Sequence, residues 1–292
     1  MPTAIAGRPT NVINSLWLEI TGRCQLTCTH CYASSGPTGD HGSMTVADWQ
    51  RVLNEAAALR VGRVTIIGGE PTLHPELGGL IDYAVGLGLA VEVYSNLVRV
   101  PDRLWPALTQ AGVSLATSYY SSDPAAHDRM TGQARSHSRT RATIVEMLRR
   151  GIPLRVGLIG DSDSTLDRAH AELLALGVGS ITRDGIRPVG RADHGESDHG
   201  ESGTCGRCGH GRAAIRADGT VTPCVFTRHA ITGNVRVGRL AETLAGTAWA
   251  SQVARLDALR SAATGCSPDD TEEGTCNPFT RPACQPDYPD SD

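Results

Sequence analysis

Three cysteines within eight residues constrain this chain more than any other feature of its sequence. Cys24, Cys28 and Cys31 follow the spacing C-x-x-x-C-x-x-C, directly after a short alternating apolar run. Thiolates are the ligands that soft metals prefer, and this spacing lets one loop surround an iron–sulfur cluster. Three ligands leave one iron of a [4Fe–4S] cluster without a thiolate, and an open coordination position is typical of a reactive site. The sequence therefore predicts a cluster with one open iron.

Two simpler interpretations of these cysteines are a zinc knuckle and a set of buried free thiols. Zinc sites usually combine two C-x-x-C pairs or add a histidine at ligand spacing. His30 lies between two of the cysteines, a poor position from which to complete such a set. The cluster interpretation is preferred because the motifs that follow agree with it.

The same three cysteines match the signature of the radical S-adenosylmethionine (SAM) enzymes, a family that the chain resembles over most of its length. The resemblance implies that the open iron binds the amino and carboxylate groups of SAM. It also implies that one electron cleaves SAM to methionine and a 5′-deoxyadenosyl radical, which takes a hydrogen atom from the substrate. In the family, an aromatic residue near the adenine usually precedes the third cysteine, and His30 occupies that position here. Tyr32 is common in the peptide-modifying branch.

The length and composition of the chain limit the classes of protein to which it can belong. The chain has 292 residues, enough for one large domain and one small one. A net charge of −4 does not suggest a nucleic-acid partner, and without an 18-residue apolar run or a signal-peptide core we expect no membrane span and a cytoplasmic location. Nine cysteines in a reducing compartment favour metal clusters over disulfides.

A second motif follows a short β-branched run, Val64–Ile67, which predicts a buried strand. The strand leads directly into Gly68, Gly69, Glu70 and Pro71, and glycines at the end of a strand let backbone approach a ligand closely. Taken alone, this tetrapeptide is also a plausible turn. By resemblance it is the family's "GGE" motif, which binds the amino group of SAM.

Strand and helix patterns alternate six times along residues 15–186 and indicate a parallel α/β sheet with right-handed crossovers. The resemblance implies a partial (β/α)6 radical SAM barrel, for which we expect residues 1–192. Polar residues at strand ends, Ser95, Asn96 and Ser118, are candidates for contact with the ribose or carboxylate of SAM, or simply turn residues. Ile159 is expected near the adenine. The predicted strands are Ser15–Thr21, Val64–Ile67, Ala90–Tyr94, Val113–Thr117, Pro153–Ile159 and Ser180–Ile186.

The stretch from His127 to Gly132 resembles the "HD…TG" segment that follows the fourth strand in peptide-modifying members. Four residues near predicted strand ends are candidates for substrate contact, or equally for surface ion pairs: His127, Arg129, Arg183 and Arg187. No second catalytic residue can be assigned from the sequence.

Residues 193–204 contain the pentapeptide Asp-His-Gly-Glu-Ser twice and are expected to be a linker. A metal site from His194 and His199 is a weaker alternative. Residues 205–292 then form the predicted second domain. It contains a hairpin signal at Asp218-Gly219 and a helical pattern from Leu240 to Leu259.

A second cysteine set begins with Cys205, Cys208 and Cys224, and the spacing alone fits either a zinc ribbon or an iron–sulfur cluster. The stretch around Cys208, Gly219 and Cys224 resembles the SPASM or "twitch" extension of radical SAM enzymes, which implies an auxiliary [4Fe–4S] cluster. Cys266 or Cys276 is then expected as the fourth ligand. We expect one auxiliary cluster, because the dense later C-x-x-C group of the full extension is missing and Cys284 lies apart in the tail.

The resemblance favours a radical SAM enzyme that crosslinks, epimerises or oxidises a ribosomally made peptide. The alternative is a dehydrogenase or epimerase of a small molecule such as a sugar, aminocyclitol or nucleoside. A non-catalytic iron–sulfur protein would not explain the motif at Gly68. We expect an external flavodoxin- or ferredoxin-like electron donor. We also expect a separate leader-peptide recognition protein if the substrate is a peptide, because few residues precede the first strand.

Overall fold

A single curved sheet organises the molecule. The computed structural model describes residues 13–194, 204 and 207–263, the last four of them by backbone alone. The first six strands pair side by side in chain order, and every neighbouring pair is parallel, which confirms the predicted α/β fold. These strands are β1 Ser15–Thr21, β2 Arg63–Gly68, β3 Ala90–Tyr94, β4 Val113–Tyr119, β5 Leu154–Ile159 and β6 Ser180–Asp184.

Six helices connect these strands and cover one face of the sheet. Thr45 caps the first of them through a reciprocal pair of hydrogen bonds with Asp48, as its sequence predicts. One helix was not predicted, although Asp123 caps its first turn and Pro124 begins it, a combination typical of helix starts. The helices are α1 Val46–Ala58, α2 Leu77–Gly86, α3 Trp105–Leu108, α4 Pro124–Thr131, α5 Ser136–Arg149 and α6 Asp163–Leu176.

Alternation along the strands separates the core from a cavity. Leu16, Leu18 and Ile20 of β1 are buried in the apolar core with Trp49 of α1. Trp17, between them in sequence, lines a cavity on the opposite face of the sheet. Because successive side chains of a strand point to opposite faces, the concave face of the sheet supplies the cavity wall.

The C-terminal part of the chain extends the same sheet. The hairpin predicted at Asp218-Gly219 is present, formed by β7 Arg212–Ile215 and β8 Thr220–Thr222, and β7 pairs in parallel with β1. A short β9, Gly233–Asn234, follows. The sheet therefore runs without a break from β6 through β1 to β9.

The prediction of one helix from Leu240 to Leu259 was wrong in one respect. Two helices, α7 Leu240–Ala245 and α8 Thr247–Ala263, replace it, because Gly246 between them has an extended backbone. Within the described ranges, no helix has the length and apolar character needed to cross a membrane.

Candidate functional site

One cavity of about 550 Å³ unites the two main sequence motifs. It lies on the concave face of the sheet and reaches the carboxyl ends of the parallel strands, where ligands usually bind in open α/β sheets. Ten of the predicted site residues line it: Cys24, Cys28, His30, Cys31, Gly68, Gly69, Ser95, Asn96, Ser118 and Ile159.

The three thiols of the first motif are free and face this cavity. Burial raises the pKa of Cys24 and of Cys28 to about 12, so both are protonated until a metal displaces the proton. The Leu26 N–H lies 3.4 Å from the Cys24 sulfur and the Asn96 side-chain amide 3.7 Å from it, and both donate to it. Such donors stabilise a thiolate and tune an iron–sulfur centre.

This donor set fits a cluster better than a single ion. Among the described residues, no three histidine, cysteine or acidic side chains are arranged to hold one metal ion. A cluster spaces its thiolates more widely, because each thiolate binds a different iron. Three free thiols on one cavity, two polar donors on one of the sulfurs and no disulfide among these cysteines suit that arrangement.

Helix α4 supports the cysteine loop from one side. The Thr27 and Thr29 N–H groups donate to the carbonyl oxygens of Thr131 and Met130, at 3.1 and 3.0 Å. Gly132 follows with a φ of +68°, and a side chain there would overlap the Thr27 hydroxyl. The segment that resembles "HD…TG" therefore holds the cysteine loop in place.

The two polar residues that open this segment, His127 and Asp128, are not among the residues that line the cavity. The Asp128 carboxylate accepts bonds from the first turn of α5, including the Ser136 hydroxyl and the His137 N–H. His127 is 1% exposed and packs edge-on against the rings of Tyr119 and Tyr120. Of the four residues proposed for substrate contact, only Arg187 lines the cavity; Arg129 is exposed and Arg183 pairs with Asp167.

A segment after β6 holds the cysteine loop from the other side, and no sequence signal indicated it. Arg191 donates to the carbonyl oxygens of Cys28 and Ser35 at 2.7 and 2.8 Å, and its own N–H donates to Cys31 O. Gly190 has a φ of +61°, and a side chain there would overlap the Cys31 and Tyr32 carbonyl groups. The backbone of Gly190 and Arg191 therefore lies directly against the backbone of Cys31 and Tyr32.

The paired glycines after β2 allow two backbone segments to pack closely together. Gly68 has a φ of +133°, and a Cβ there would overlap the Thr21 carbonyl oxygen. A Cβ at Gly69 would overlap the carbonyl oxygen of Arg23. The Gly69 and Glu70 N–H groups donate to these two oxygens at 2.7 and 2.8 Å. The backbone that these glycines approach closely is thus the start of the cysteine loop itself.

Glu70 and Pro71 lie behind the cavity wall. The Glu70 carboxylate is fully buried and accepts hydrogen bonds from Thr72 N–H, Ser95 O–H and Asn96 N–H at 3.0, 2.8 and 2.8 Å. Burial raises its pKa. Pro71 begins a short 3₁₀ turn. Neither residue is among those that line the cavity, and Glu70 instead joins the ends of β2 and β3.

Aromatic residues that the sequence did not single out complete the wall. His30 packs edge-on against Tyr120, with ring centroids 4.7 Å apart, and Tyr94 shares a 3.1 Å hydrogen bond with Ser118. Burial, together with the positive charge of Arg191, lowers the pKa of His30 to about 4. The alternation of inward and outward side chains along β3 is the only signal from which Tyr94 was predictable.

The second cysteine set adjoins the same cavity. Cys208 and Cys224 are buried in one apolar cluster, and Val225 and Phe226, which follow Cys224, line the cavity. The rings of Phe226 and Tyr32 meet edge to face with centroids 5.4 Å apart. The other predicted ligands of this set, Cys205, Cys266 and Cys276, lie outside the described residues, as do Cys284 and His199.

Sequence comparison decides the family. Residues 18–173, slightly more than half of the chain, match the family described as the radical SAM superfamily. The chain belongs to the radical SAM superfamily. Residues 205–278 match SPASM, an iron–sulfur cluster-binding domain. Radical SAM domains carry a [4Fe–4S] cluster and SAM, and the SPASM domain adds an auxiliary iron–sulfur cluster, as the sequence analysis expected.

Named relatives of this radical SAM chain share parts of it. The PqqA peptide cyclase of Xanthomonas axonopodis pv. citri is 32% identical over 146 residues, which is 50% of this chain and 39% of that protein. The chain thus spans about two fifths of the length of this curated relative. SuiB of Streptococcus suis, solved bound to S-adenosylmethionine, has a TM-score of 0.71 at 14% identity and covers 88% of this chain and 71% of that one. SuiB bound to the precursor peptide SuiA has a TM-score of 0.69 at 14% identity and covers 85% and 67%. The likeness to SuiB shows a shared fold.

Proposed function

We propose that this protein is a radical SAM enzyme that modifies a ribosomally made peptide by crosslinking, epimerisation or oxidation. One observation carries the proposal: the first cysteine set and the polar strand ends line a single cavity, and Cys208 and Cys224 are buried in an apolar cluster with Val225, which lines the same cavity. A carrier of electrons needs no such cavity. An enzyme needs one that places SAM, substrate and the auxiliary centre within reach of each other.

Each part of the site has a proposed role. Cys24, Cys28 and Cys31 hold the SAM-binding cluster, which when bound supplies the electron that cleaves SAM to a 5′-deoxyadenosyl radical. The backbone of Gly68 and Gly69 binds the SAM amino group, Glu70 and Pro71 hold these glycines from behind the cavity wall, and His30 and Ile159 flank the adenine. The three strand-end residues that bind the remaining polar groups of SAM are Ser95, Asn96 and Ser118.

The residues around these groups position them and exclude water. Arg191 and the C-terminus of α4 hold the cysteine loop in place, so the three thiols that would bind the cluster face one fixed point of the cavity. Tyr94, Tyr120 and Phe226 surround that point with apolar surface. A radical intermediate survives longer where water and oxygen are excluded.

The C-terminal part supplies the auxiliary centre. We propose Cys205, Cys208 and Cys224 as ligands of one auxiliary [4Fe–4S] cluster, with Cys266 or Cys276 as the fourth. The domain division into residues 1–192, 193–204 and 205–292 belongs to the same proposal. The contact between Tyr32 and Phe226 joins the loops that follow Cys31 and Cys224, and the strands that lead into these loops belong to one continuous sheet.

The relatives support a peptide as the substrate. The curated protein that matches half of this chain is named a PqqA peptide cyclase, and SuiB has been solved with a precursor peptide. BtrN in complex with AdoMet and 2-DOIA has a lower TM-score of 0.55, which does not favour the small-molecule alternative. An external flavodoxin- or ferredoxin-like donor and a cytoplasmic location complete the proposal, since the chemistry needs electrons and reduced thiols.

The test is anaerobic turnover. The protein is reconstituted with iron and sulfide, mixed with SAM and dithionite, and assayed for 5′-deoxyadenosine by mass spectrometry. The variant Cys24→Ala/Cys28→Ala/Cys31→Ala is expected to give only background product. Thr38→Ala, an exposed change beyond the same loop, is the matched control and is expected to behave as wild type.

Peptides encoded near the gene then test the substrate. Each is added to the reconstituted protein and examined by mass spectrometry for loss of hydrogen, and its hydrolysate is examined by chiral chromatography for a change of stereochemistry. Product 5′-deoxyadenosine without modification of any such peptide would contradict the peptide assignment but not the radical SAM chemistry. Equal 5′-deoxyadenosine from wild type and the triple variant would contradict both.

A further inference from the structure

The lining of the cavity differs in chemical character from one region to another. Polar side chains line it at the ends of β3 and β4, and the proposed function assigns these to SAM. Elsewhere the lining is aromatic, formed by Trp17 of β1 together with Tyr32 and Phe226. All three are half-buried and pack against the apolar cluster that contains Cys208 and Cys224. We call these three residues the aromatic wall.

Strand order separates the aromatic wall from the polar strand ends. β3 and β4 are the second and third neighbours of β1 in the sheet, so they lie about 10 and 14 Å from Trp17 along it. Tyr32 follows Cys31 directly, and Phe226 is two residues after Cys224. The aromatic wall therefore lies between the two cysteine sets, in the part of the cavity that is left for the substrate.

The indole ring of Trp17 faces the cavity without a large neighbour beside it. On the strands that flank β1, Trp17 is in register with Thr65 of β2 and Ala214 of β7. Residues in register on neighbouring strands share a face of the sheet. Because both of these side chains are small, neither covers the ring, and apolar surface of Trp17 is left facing the cavity.

The other two rings of the aromatic wall are held from behind by cations. The Arg187 guanidinium lies over the Phe226 ring, 5.2 Å from its centroid, and that of Arg228 lies over Tyr32 at 6.0 Å. Arg228 is itself fixed, since it donates to the buried Glu19 carboxylate at 2.7 Å. The rings of Tyr32 and Phe226 therefore keep their edge-to-face orientation, and a ligand meets them already positioned.

Uncovered aromatic surface of this kind is typical of a ligand site. Binding pockets are lined mainly by apolar and aromatic side chains, with a few polar groups that fix orientation. Aromatic rings prefer edge-to-face and offset contacts with other rings, and such pairs gain more free energy than burial of the same area alone. Three rings in one wall therefore favour an aromatic ligand over an aliphatic one of equal size.

We propose that the aromatic wall binds an aromatic side chain that the substrate peptide carries into the cavity. Trp17 supplies the ring surface that this side chain covers, and Tyr32 and Phe226 set its orientation between the two cysteine sets. This inference rests on the proposed function and names a feature of the substrate within it.

Photo-crosslinking tests the proposal without turnover. Reconstituted holoenzyme is irradiated anaerobically with the capped tripeptide acetyl-Ala-Bpa-Ala-amide, in which Bpa is p-benzoylphenylalanine, and the crosslinked residues are located by mass spectrometry. Crosslinks are expected in the segments that contain Trp17, Tyr32 and Phe226. The competitors are the same tripeptides with Phe, cyclohexylalanine or Gln in the central position. The Phe peptide is expected to reduce crosslinking several-fold, the cyclohexylalanine peptide less, and the Gln peptide not at all.

Trp17→Leu removes the indole ring and keeps an apolar side chain. The concentration of Phe peptide that halves crosslinking is expected to rise about threefold to tenfold, the range for loss of one aromatic pair. Trp105→Leu is the matched control, because Trp105 is also half-buried but packs against Arg150 and is not among the residues that line the cavity. Phe226→Leu is expected to give a similar rise and replaces Trp17→Leu if circular dichroism shows that Trp17→Leu does not fold.

Three results would overturn the proposal. Equal competition by the Phe and cyclohexylalanine peptides would show that the aromatic wall recognises apolar bulk and not a ring. Loss of all crosslinking on addition of SAM would assign the aromatic wall to SAM. Equal behaviour of Trp17→Leu and Trp105→Leu would show that the wall binds nothing. The 5′-deoxyadenosine assay is independent, so its failure would contradict the proposed enzyme and leave the crosslinking result unaffected.

Discussion

Replacement of Glu70 by glutamine tests how the site is built, because this carboxylate joins two strand ends without touching the cavity. One of its oxygens accepts from both Thr72 and Ser95, and the other accepts from the Asn96 N–H. Glu70→Gln keeps the shape and turns one oxygen into an NH₂ group. In the better orientation the remaining oxygen keeps two donors, and the NH₂ group faces the Asn96 N–H.

The expected loss of stability follows from this one site, where two donors, the new NH₂ group and the Asn96 N–H, face each other. A buried donor without an acceptor costs about 1–3 kcal/mol, and part of this is recovered because a neutral amide is easier to bury than a carboxylate. We expect the free energy of unfolding to fall by about 2 kcal/mol in Glu70→Gln. Glu70→Ala leaves three donors without an acceptor, and we expect a loss of about 3–5 kcal/mol.

Glu70→Gln is also expected to weaken the binding of SAM. Asn96 lines the cavity, and its side-chain amide donates to the Cys24 sulfur, so displacement of its backbone alters both. We expect the affinity for SAM to fall about tenfold, equivalent to about 1.4 kcal/mol. Unfolding of the metal-free protein in urea, followed by circular dichroism, measures the first effect. Equilibrium dialysis of SAM against reconstituted protein measures the second.

Glu76→Gln is the matched control, since it makes the same chemical change on an exposed side chain six positions away. It is expected to alter the free energy of unfolding by less than about 0.5 kcal/mol. If the two variants unfold at the same urea concentration and bind SAM equally, the role assigned to Glu70 is wrong.

Three further predictions concern the supports of the cysteine loop. Gly69→Ala forces a methyl group onto the Arg23 carbonyl, and we expect the free energy of unfolding to fall by about 2 kcal/mol and the iron content after reconstitution to fall with it. Gly79→Ala places its methyl group in open space on α2 and is expected to be neutral or stabilising in the same urea assay. Asp128→Asn weakens the first turn of α5 and is expected to lower stability by about 1 kcal/mol. It should also speed the bleaching of cluster absorbance by a chelator several-fold, and an unchanged bleaching rate would contradict the support we assign to α4. Burial lowers the pKa of His127 to about 4, below its ordinary 6.5, so the unfolded chain binds the extra proton and stability falls as pH drops from 6.5 towards 4. His127→Phe is expected to reduce that slope by up to about 1.4 kcal/mol per pH unit, and identical slopes for wild type and variant would refute the burial argument.

Much of the fold was predictable because its signals are local. All six parallel strands lie within two residues of their predicted bounds at each end. The fourth continues two residues further than predicted, through Ser118 to Tyr119, and the sixth ends two residues earlier, at Asp184. The cap at Thr45 and the turn at Asp218-Gly219 are present as their short-range patterns predict. Helix α4 was missed because its few residues show little apolar periodicity, and its function depends on a distant loop.

The candidate site was predictable where residues follow a strand or share a loop. Parallel strands end at one edge of a sheet, so the residues after β1, β2, β3 and β4 had to meet there. Glu70 and Pro71 lie behind that edge because a buried turn, and not the motif, decides where their side chains go. No sequence pattern indicates which residues after a strand line the cavity and which are buried behind it.

The sequence alone determined the cysteine spacing, the order of strands and helices, and the edge of the sheet at which the candidate site residues lie. Each of these features depends on residues a few positions apart. Tertiary structure decided the remainder. Arg191 reaches Cys28 across 163 positions, and Arg212 comes into register with Ser15 only because β7 pairs with β1. Such contacts depend on how the sheet curves and which strand adds to its edge, and short-range propensity carries no information about either.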